Sequence, residues 1–495
     1  MEGVIGVIGV IGVRMGERLR ARDLVFLTAE TATAPRHNAT VEIFDPGEAG
    51  FDHAALTRLI GERIAFVSRY RQRVRRVPGG VANPVWVDDP HFDLAYHVRR
   101  SALPRPGSLD QLRELVARIV SRPLDRHRPL WEAYLVEGLE DGRVAVLTKS
   151  HQALVDGAQV VDLAQVLLDR APEQRALGAD EWRPEPPVSP TGLLVDAVRD
   201  SVVSPLTAFD TARGVADVWL RGADLTIERV GAVVNALAGR RSDQDSPIGG
   251  TLSQQRLFVT LRRSLAEHRA VRDAHGGTVN DVVLAVVTGG LRTWLMTRAE
   301  SLGGLRQVRA VVPVSVHDQE LEATSVGSQI APHFVDLPVG EPSPVVRLHQ
   351  VSYSFKAHKE TGRAVAANRI AGVAGFAPST FHAIGSRVAY EQLRRGIQLS
   401  VTNVPGPQSP LYAAGAVMEQ TYPVPPLLPG HALAIGVTSY DGQVFYGVIA
   451  DRDLVPDADT FAVCLSEALD ELIDTAGEGR PKVPRGRSRR TDRQP

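Results

Sequence analysis

Cysteine is nearly absent from this chain. Cys464 is the single thiol in 495 residues. That excludes an internal disulfide and a metal centre built on several thiolates, and it fits a reducing compartment. An excess of charge of one sign is absent too. The 56 basic and 57 acidic side chains leave a formal net charge of -1, so no global field recruits nucleic acid or an anionic membrane. Nor does any apolar run approach the roughly 18 to 20 residues needed to span a bilayer. The nearest is Gly3 to Val13, a Val-Ile-Gly repeat. It is preceded by Glu2 rather than a basic segment and lacks a small-residue cleavage site, which argues against a signal peptide.

What is present is ordinary globular material, 43% hydrophobic and 23% charged. The length exceeds the size at which one core keeps growing, about 250 to 300 residues, so two domains are expected. From about Leu24 to Asp169, β-like runs alternate with amphipathic helices. Val41 to Phe44 and Val144 to Thr148 read as strands, Leu109 to Val120 and Val160 to Leu168 as helices. Ala171 to Pro190 is charged and proline-rich, as a linker would be. Leu193 to Ala238 reads as mostly helical. Beyond it, Arg309 to Val316 and Ala432 to Val437 read as strands, and Val279 to Leu295 as a helix whose start is marked by Asn280 and Asp281. Gly289-Gly290 lies inside that apolar helix, where small residues allow close packing rather than phosphate binding.

One segment carries chemistry. Lys149-Ser150-His151-Gln152-Ala153-Leu154-Val155-Asp156-Gly157 follows the apolar run ending at Thr148, so a histidine stands where a strand gives way to a loop. Alone this is weak evidence, because a histidine near a strand end is more often a satisfied structural residue. Its company raises it: Phe26 to Glu30 with Pro35-Arg36-His37, the run from Pro123 through Arg126-His127-Arg128-Pro129-Leu130-Trp131 to Glu132, Asn280 to Ala285 leading to Gly289-Gly290-Leu291-Arg292, Asn403-Val404-Pro405-Gly406-Pro407, Ser439 to Gly442, and Asp451 to Asp453. His37 and His127, taken singly, read equally as core or surface histidines.

In this order the blocks resemble the bacterial wax ester synthase/diacylglycerol acyltransferase family, from Met15 to about Asp457. That family carries His-His-x-x-x-Asp-Gly, so His151 stands at the place of the first histidine and Gln152 at that of the second, the general base. The resemblance implies an α/β fold with mixed sheets, two-domain and chloramphenicol acetyltransferase-like, with a tunnel between the domains that meets the motif. It implies direct transfer of a long-chain acyl group from acyl-CoA to diacylglycerol or a long-chain alcohol, with acyl-CoA as substrate, no cofactor and no metal. Asp156 is implied to be a structural carboxylate pairing with an arginine, and Gly157 to permit a tight turn. Asn280, Asp281, Asn403 and Pro405 are implied to lie near the tunnel, although capping and rigid-bend roles explain them as well.

Acyl transfer needs a base for the acceptor hydroxyl, donors for the oxyanion, and exclusion of water. Glutamine has no titratable group, and loss of a general base typically costs about 100- to 10,000-fold in rate. Two readings stay open. Either His151 takes over as base, which a bulge or altered rotamer would allow against the alternation of an extended strand, or the protein is an impaired relative that binds acyl-CoA or lipid without turnover. Transfer to an amine, as in condensation domains, is disfavoured by the lack of an attached carrier segment.

The expected layout is an extension outside the family at 1–14, an N-terminal domain at 15–170, a linker and helical connection at 171–240, a C-terminal domain at 241–475, and a basic disordered tail at 476–495. The expected partners are acyl-CoA and a lipid acceptor, not nucleic acid. The expected place is the cytoplasm, with peripheral contact at a membrane or lipid droplet. Oligomeric state is left open.

Overall fold

The computed structural model describes residues 17–47, 50–65, 67–154, 163, 167–174, 180, 182–203, 246, 248–298, 307–315, 330–360 and 396–478. In the first half the strands are β1 (Glu17–Arg18), β2 (His37–Asp45), β3 (Gln72–Arg75), β4 (Val85–Asp88), β5 (Val98–Ala102), β6 (Trp131–Glu137) and β7 (Val144–His151). The second half supplies β8 (Arg256–Ser264), β9 (Val308–Ser315), β10 (Ile330–Leu337), β11 (Leu399–Pro405), β12 (Tyr412–Ala413), β13 (Ala416–Val424), β14 (Leu433–Tyr440) and β15 (Gln443–Asp451). Helices are α1 (Ala21–Thr28), α2 (His53–Ile64), α3 (Leu94–His97), α4 (Leu109–Val120), α5 (Pro190–Val203), α6 (Leu265–His275), α7 (Val279–Thr297), α8 (Pro344–Glu360) and α9 (Ala458–Glu478).

Local chemistry accounts for many of these boundaries. Asp52 accepts from the Ala55 amide to start α2, and Ser108 with Gln111 closes a capping box on α4. The start of α7 differs from expectation. Thr278 is its cap, and Asp281 reaches back to the Thr278 amide at 2.9 Å to complete the box, while Asn280 turns elsewhere. Gly289 and Gly290 let α7 sit tightly on α9: a Cβ added at either would come within 2.8 Å of the Ala468 or Leu465 side chain.

One sheet runs β10-β9-β11-β14-β15-β8, the other β12-β13-β2-β7-β6-β5, and β1-β4-β3 form a small third sheet. Both large sheets are mixed. β11 lies parallel to β9 and β14, and β5 parallel to β6, among otherwise antiparallel neighbours. The division into separate halves at 15–170 and 241–475 is not how the sheets divide. β13, from the second half, pairs along β2 in the first, and β12 extends that pairing. Without β13, β2 would present an open edge.

The crossing is built on two glycines. Along β15, Val444, Tyr446, Val448 and Ala450 enter the core beneath the helices, whereas Phe445 and Ile449 enter the core shared with the first half. Gly447 occupies the latter face and is the register partner of Gly436 on β14. Pro423, near the end of β13, lies in the resulting notch; a Cβ at Gly447 would stand 1.8 Å from its carbonyl oxygen, and one at Gly436 would stand 2.6 Å from its Cβ.

Leu163 and Leu167, from the helix expected over 160–168, are helical and buried. Of the helical reading over 193–238, residues up to 203 lie in α5. The readings on Gly3 to Val13, Met15, Asp156, Gly157, 204–238 and the tail beyond 478 fall outside the described residues.

Candidate active site

Strand β7 is buried along its whole length and ends at His151, the register partner of His37 on β2. The chain then enters a short 3-10 turn, Gln152–Leu154. Neighbouring strands pin that turn from both sides. The His151 amide donates to the Leu130 carbonyl at 2.9 Å, and the Gln152 amide to that of Arg36 at 2.8 Å. Ala153 packs with Leu27, Trp86 and Leu130 beneath the turn.

His151 is fully buried; its Nδ1 is hydrogen-bonded, and its Nε2 has no hydrogen-bond partner. Nδ1 accepts the Ala153 N–H at 3.0 Å, and Nε2 faces Glu30 Oε2 at 3.7 Å, within Coulombic range and beyond a hydrogen bond. Burial pushes the imidazole below its ordinary value against the pull of Glu30, so the neutral ring is favoured. With Nδ1 accepting, its proton sits on Nε2, toward the carboxylate. Glu30 accepts the Arg36 amide at 3.0 Å and Arg126 through Nε and Nη2 at 3.0 and 2.6 Å. Burial works to raise its carboxyl, but His151, the Arg36 amide and Arg126 together hold it well below the usual carboxylate range.

Gln152 is fully buried, and neither Oε1 nor Nε2 of its carboxamide has a hydrogen-bond partner. Leaving an amide so costs about 1 to 3 kcal/mol. A group that brings a donor and an acceptor to this turn recovers it.

Around the motif the roles are structural. Lys149 Nζ donates to the Ile119 and Arg122 carbonyls at 3.2 and 2.5 Å, tying β7 to the end of α4, and burial pushes its pKa down to about 8. His37 is a core residue, bonded through Nε2 to the Val120 carbonyl at 2.9 Å and held well below its ordinary value by burial and the charge of Lys149. It borders a cavity of about 20 Å³ between the halves, shared with Arg256, Val424 and Leu427, with room for a water-sized group. His127 is a surface residue beside Asp125. Asn403 Nδ2 donates to Asn280 Oδ1 at 2.9 Å, joining β11 to the first turn of α7, and Pro405 ends β11 opposite Ser439. Among the described residues no hydrogen bond or ion pair connects Asn280, Asp281, Asn403 or Pro405 to His151 or Gln152. Glu30 and Arg126 had no assigned role from sequence. Each lies in a family block, but nothing in the spacing of residues 30, 126 and 151 says that they meet.

Two mixed sheets, one of them completed by a strand from the second half, with a histidine at the end of a buried central strand, make a fold shared with solved structures. The first condensation domain of the CDA synthetase shares it at 17% identity and a TM-score of 0.52, over 94% of this chain and 97% of that one. A more similar structure is the wax ester synthase/diacylglycerol acyltransferase from Marinobacter aquaeolei VT8, 26% identical with a TM-score of 0.64 over 93% of this chain and all of that one. Residues 19–283 match the wax ester synthase/diacylglycerol acyltransferase catalytic domain, and 326–473 the C-terminal domain. Among relatives in Mycobacterium tuberculosis, the probable diacylglycerol O-acyltransferase tgs3 is 42% identical over 52% of this chain and 96% of its own. The probable diacylglycerol O-acyltransferase tgs1 is 31% identical over 88% and 91%. The chain belongs to the wax ester synthase/diacylglycerol acyltransferase family.

Proposed function

We propose that this protein transfers a long-chain acyl group from acyl-CoA to the hydroxyl of diacylglycerol or a long-chain alcohol, giving triacylglycerol or a wax ester. The observation that carries the reading is the buried, unpartnered Gln152 carboxamide at the family's base position, beside a histidine bonded through Nδ1 to the Ala153 amide and facing Glu30 at 3.7 Å. Oε1 accepts the hydroxyl of the acceptor and aligns its oxygen on the thioester carbonyl, while Nε2–H is a donor for the carbonyl oxygen. The new C–O bond forms, the C–S bond breaks, and the hydroxyl proton ends on the CoA sulfur, since an amide cannot keep it. His151, Glu30 and Arg126 position the turn. Asp156 and Gly157 shape the loop beyond, and a tunnel between the halves, passing near Asn280, Asp281, Asn403 and Pro405, brings the two substrates together. No cofactor or metal takes part. The protein works in the cytoplasm, at the surface of a membrane or lipid droplet.

A second reading is favoured by the same residue: without a titratable group at 152 the protein binds acyl-CoA or lipid and does not turn it over. Labelled palmitoyl-CoA with diacylglycerol or hexadecanol separates the two. Ester formed by the wild-type protein above a protein-free control supports the enzyme. Binding of acyl-CoA with no ester from wild type or Gln152→His replaces it with the binder.

A further inference from the structure

The face of β2 and β7 that turns away from His37 and His151 carries a line of polar side chains. Thr40 and Thr148 are register partners and bond each other, Oγ1 to Oγ1, at 2.7 Å. One step nearer the reaction turn, Asn38 stands opposite Ser150. The ladder runs on past the end of β7, because the Gln152 amide donates to the Arg36 carbonyl. Alternation along an extended strand therefore puts positions 148, 150 and 152 on one side and His151 on the other. These side chains differ in how they are satisfied. The threonine pair is closed. Neither Nδ2 nor Oδ1 of Asn38 has a hydrogen-bond partner, although the residue is only 7% exposed. The Gln152 carboxamide is in the same state, and no hydrogen bond joins the Ser150 hydroxyl to a described residue. Ser150 is more exposed than Thr148, Lys149, His151 or Gln152, so packing over this end of β7 is loosest at the Asn38–Ser150 pair. On the third strand the partner of Ser150 is Trp131, whose indole N–H is taken by the Tyr70 carbonyl at 2.7 Å. It supplies an apolar wall and no free polar group.

We infer that Asn38 and Ser150 form a polar subsite beside Gln152 that takes the ester carbonyl next to the acceptor hydroxyl, and so selects a diacylglycerol over a long-chain alcohol. Asn38 Nδ2–H and the Ser150 hydroxyl are donors, and one carbonyl oxygen accepts from both. Asn38 and Gln152 are diagonal neighbours in the ladder, a spacing of about 7 to 8 Å that long side chains bridge. A glyceride whose hydroxyl meets Gln152 carries its neighbouring ester carbonyl a few bonds away, within that span. A fatty alcohol has no second polar group and leaves both donors unpaired in the interior. Sites built to hydrogen-bond a substrate group reject analogues that lack it for this reason. The placing of the hydroxyl rests on the proposed acyl transfer. The preference for an ester carbonyl does not, and it can be read in a protein that turns nothing over.

The test is calorimetric titration of the full chain, below micelle concentrations, with dioctanoylglycerol and with its dioctyl diether, which keeps the hydroxyl and both chains but lacks the carbonyls. Wild type is expected to bind the diester about tenfold or more tightly than the diether, and Asn38→Leu to lose that preference. Ser150→Ala, a smaller change, is expected to reduce it and decides the matter if Asn38→Leu does not fold. Thr40→Val opens the closed threonine pair one step along the same face. It is the control for disturbed packing, and should lower the thermal midpoint while keeping the preference. Where wild type or Gln152→His forms ester, Asn38→Leu should also lower the ratio of kcat/KM for dioctanoylglycerol over hexadecanol by about tenfold; a structural effect would lower both alike and leave the ratio. A diester preference without ester formation in either background removes the acyl transfer and keeps the subsite. Ester formation with no diester preference, a preference that survives the substitutions at 38 and 150, or no binding of either lipid overturns the subsite.

Discussion

Replacing Gln152 by histidine exchanges one buried amide for an imidazole of similar reach, in a turn whose backbone is already pinned by the Leu130 and Arg36 carbonyls. A base at that place should raise ester formation from acyl-CoA by about 100-fold or more. It should also introduce an acid limb in the rate against pH, because an imidazolium cannot accept the hydroxyl proton. His151→Ala is expected to lower activity in both backgrounds through loss of positioning, without abolishing that acid limb, since its own ring nitrogens face Ala153 and Glu30. Glu30 offers a stability test. Its folded carboxyl titrates below the ordinary value of 4.5, so its stabilisation is fully present above that pH and fades as pH falls further. Glu30→Gln should cost about 3 kcal/mol at pH 7, and the gap from wild type in denaturant unfolding should hold down to pH 4.5 and narrow below it. His37, His97, His151 and His268 are all depressed by burial, so the folded state also resists their protonation. Wild-type stability should therefore start to decline earlier, as pH falls below about 6.5.

At the scale of elements, the notch formed by Gly436 and Gly447 is the most exacting contact. An alanine at 447 would drive a methyl into the Pro423 carbonyl, and because the clashing atoms are backbone no flexible side chain can yield. Gly447→Ala is expected to destabilise by about 1 to 3 kcal/mol, the usual range for overpacking, seen as a lower thermal midpoint. An alanine at Gly442, where nothing lies within 4 Å of the added Cβ but φ is +75°, should show only the smaller backbone cost. The elements themselves were well marked in the chain. α4 spans Leu109–Val120 as its apolar spacing predicts; the strands expected from Val41 and Val144 lie within β2 and β7, that expected from Arg309 lies in β9 as far as Ser315, and that expected from Ala432 starts one residue later in β14. Apolar period and capping residues are local signals, and these elements obey them.

For the whole molecule the shared strand matters more than the linker. One core holds Leu56, Val116 and Leu147 of the first half together with Phe258, Phe445 and Ile449 of the second. Arg256 adds a polar tie, bonding Asp451 at 3.0 Å and the carbonyl of Thr33 across the interface. Such a continuous interface should unfold in a single transition despite the two-domain size. Expressed alone, residues 1–245 lack β13, so β2 is left as an open edge. That fragment should aggregate or remain unfolded by circular dichroism, and co-expression with 246–495 should restore it. Two separate melting transitions, or a stable isolated first half, would contradict this.

The amino-acid sequence by itself determined the family and the place of the motif, because those rest on residues contiguous in the chain: the blocks around Pro129-Leu130-Trp131, the Asn403 to Pro407 run and the segment from Lys149 to Gly157. It also determined that Gln152 cannot act as a base, a property of the side chain alone. What surrounds that residue was decided only in three dimensions. Glu30, Arg126 and His151 meet from positions far apart in the chain, and β13 leaves its own half to complete β2. Hydrophobic period and capping report how a segment buries its own face, but not which distant segment covers it. Strand partners, buried ion pairs and the crossing at Pro423 are settled by the packing of the whole chain.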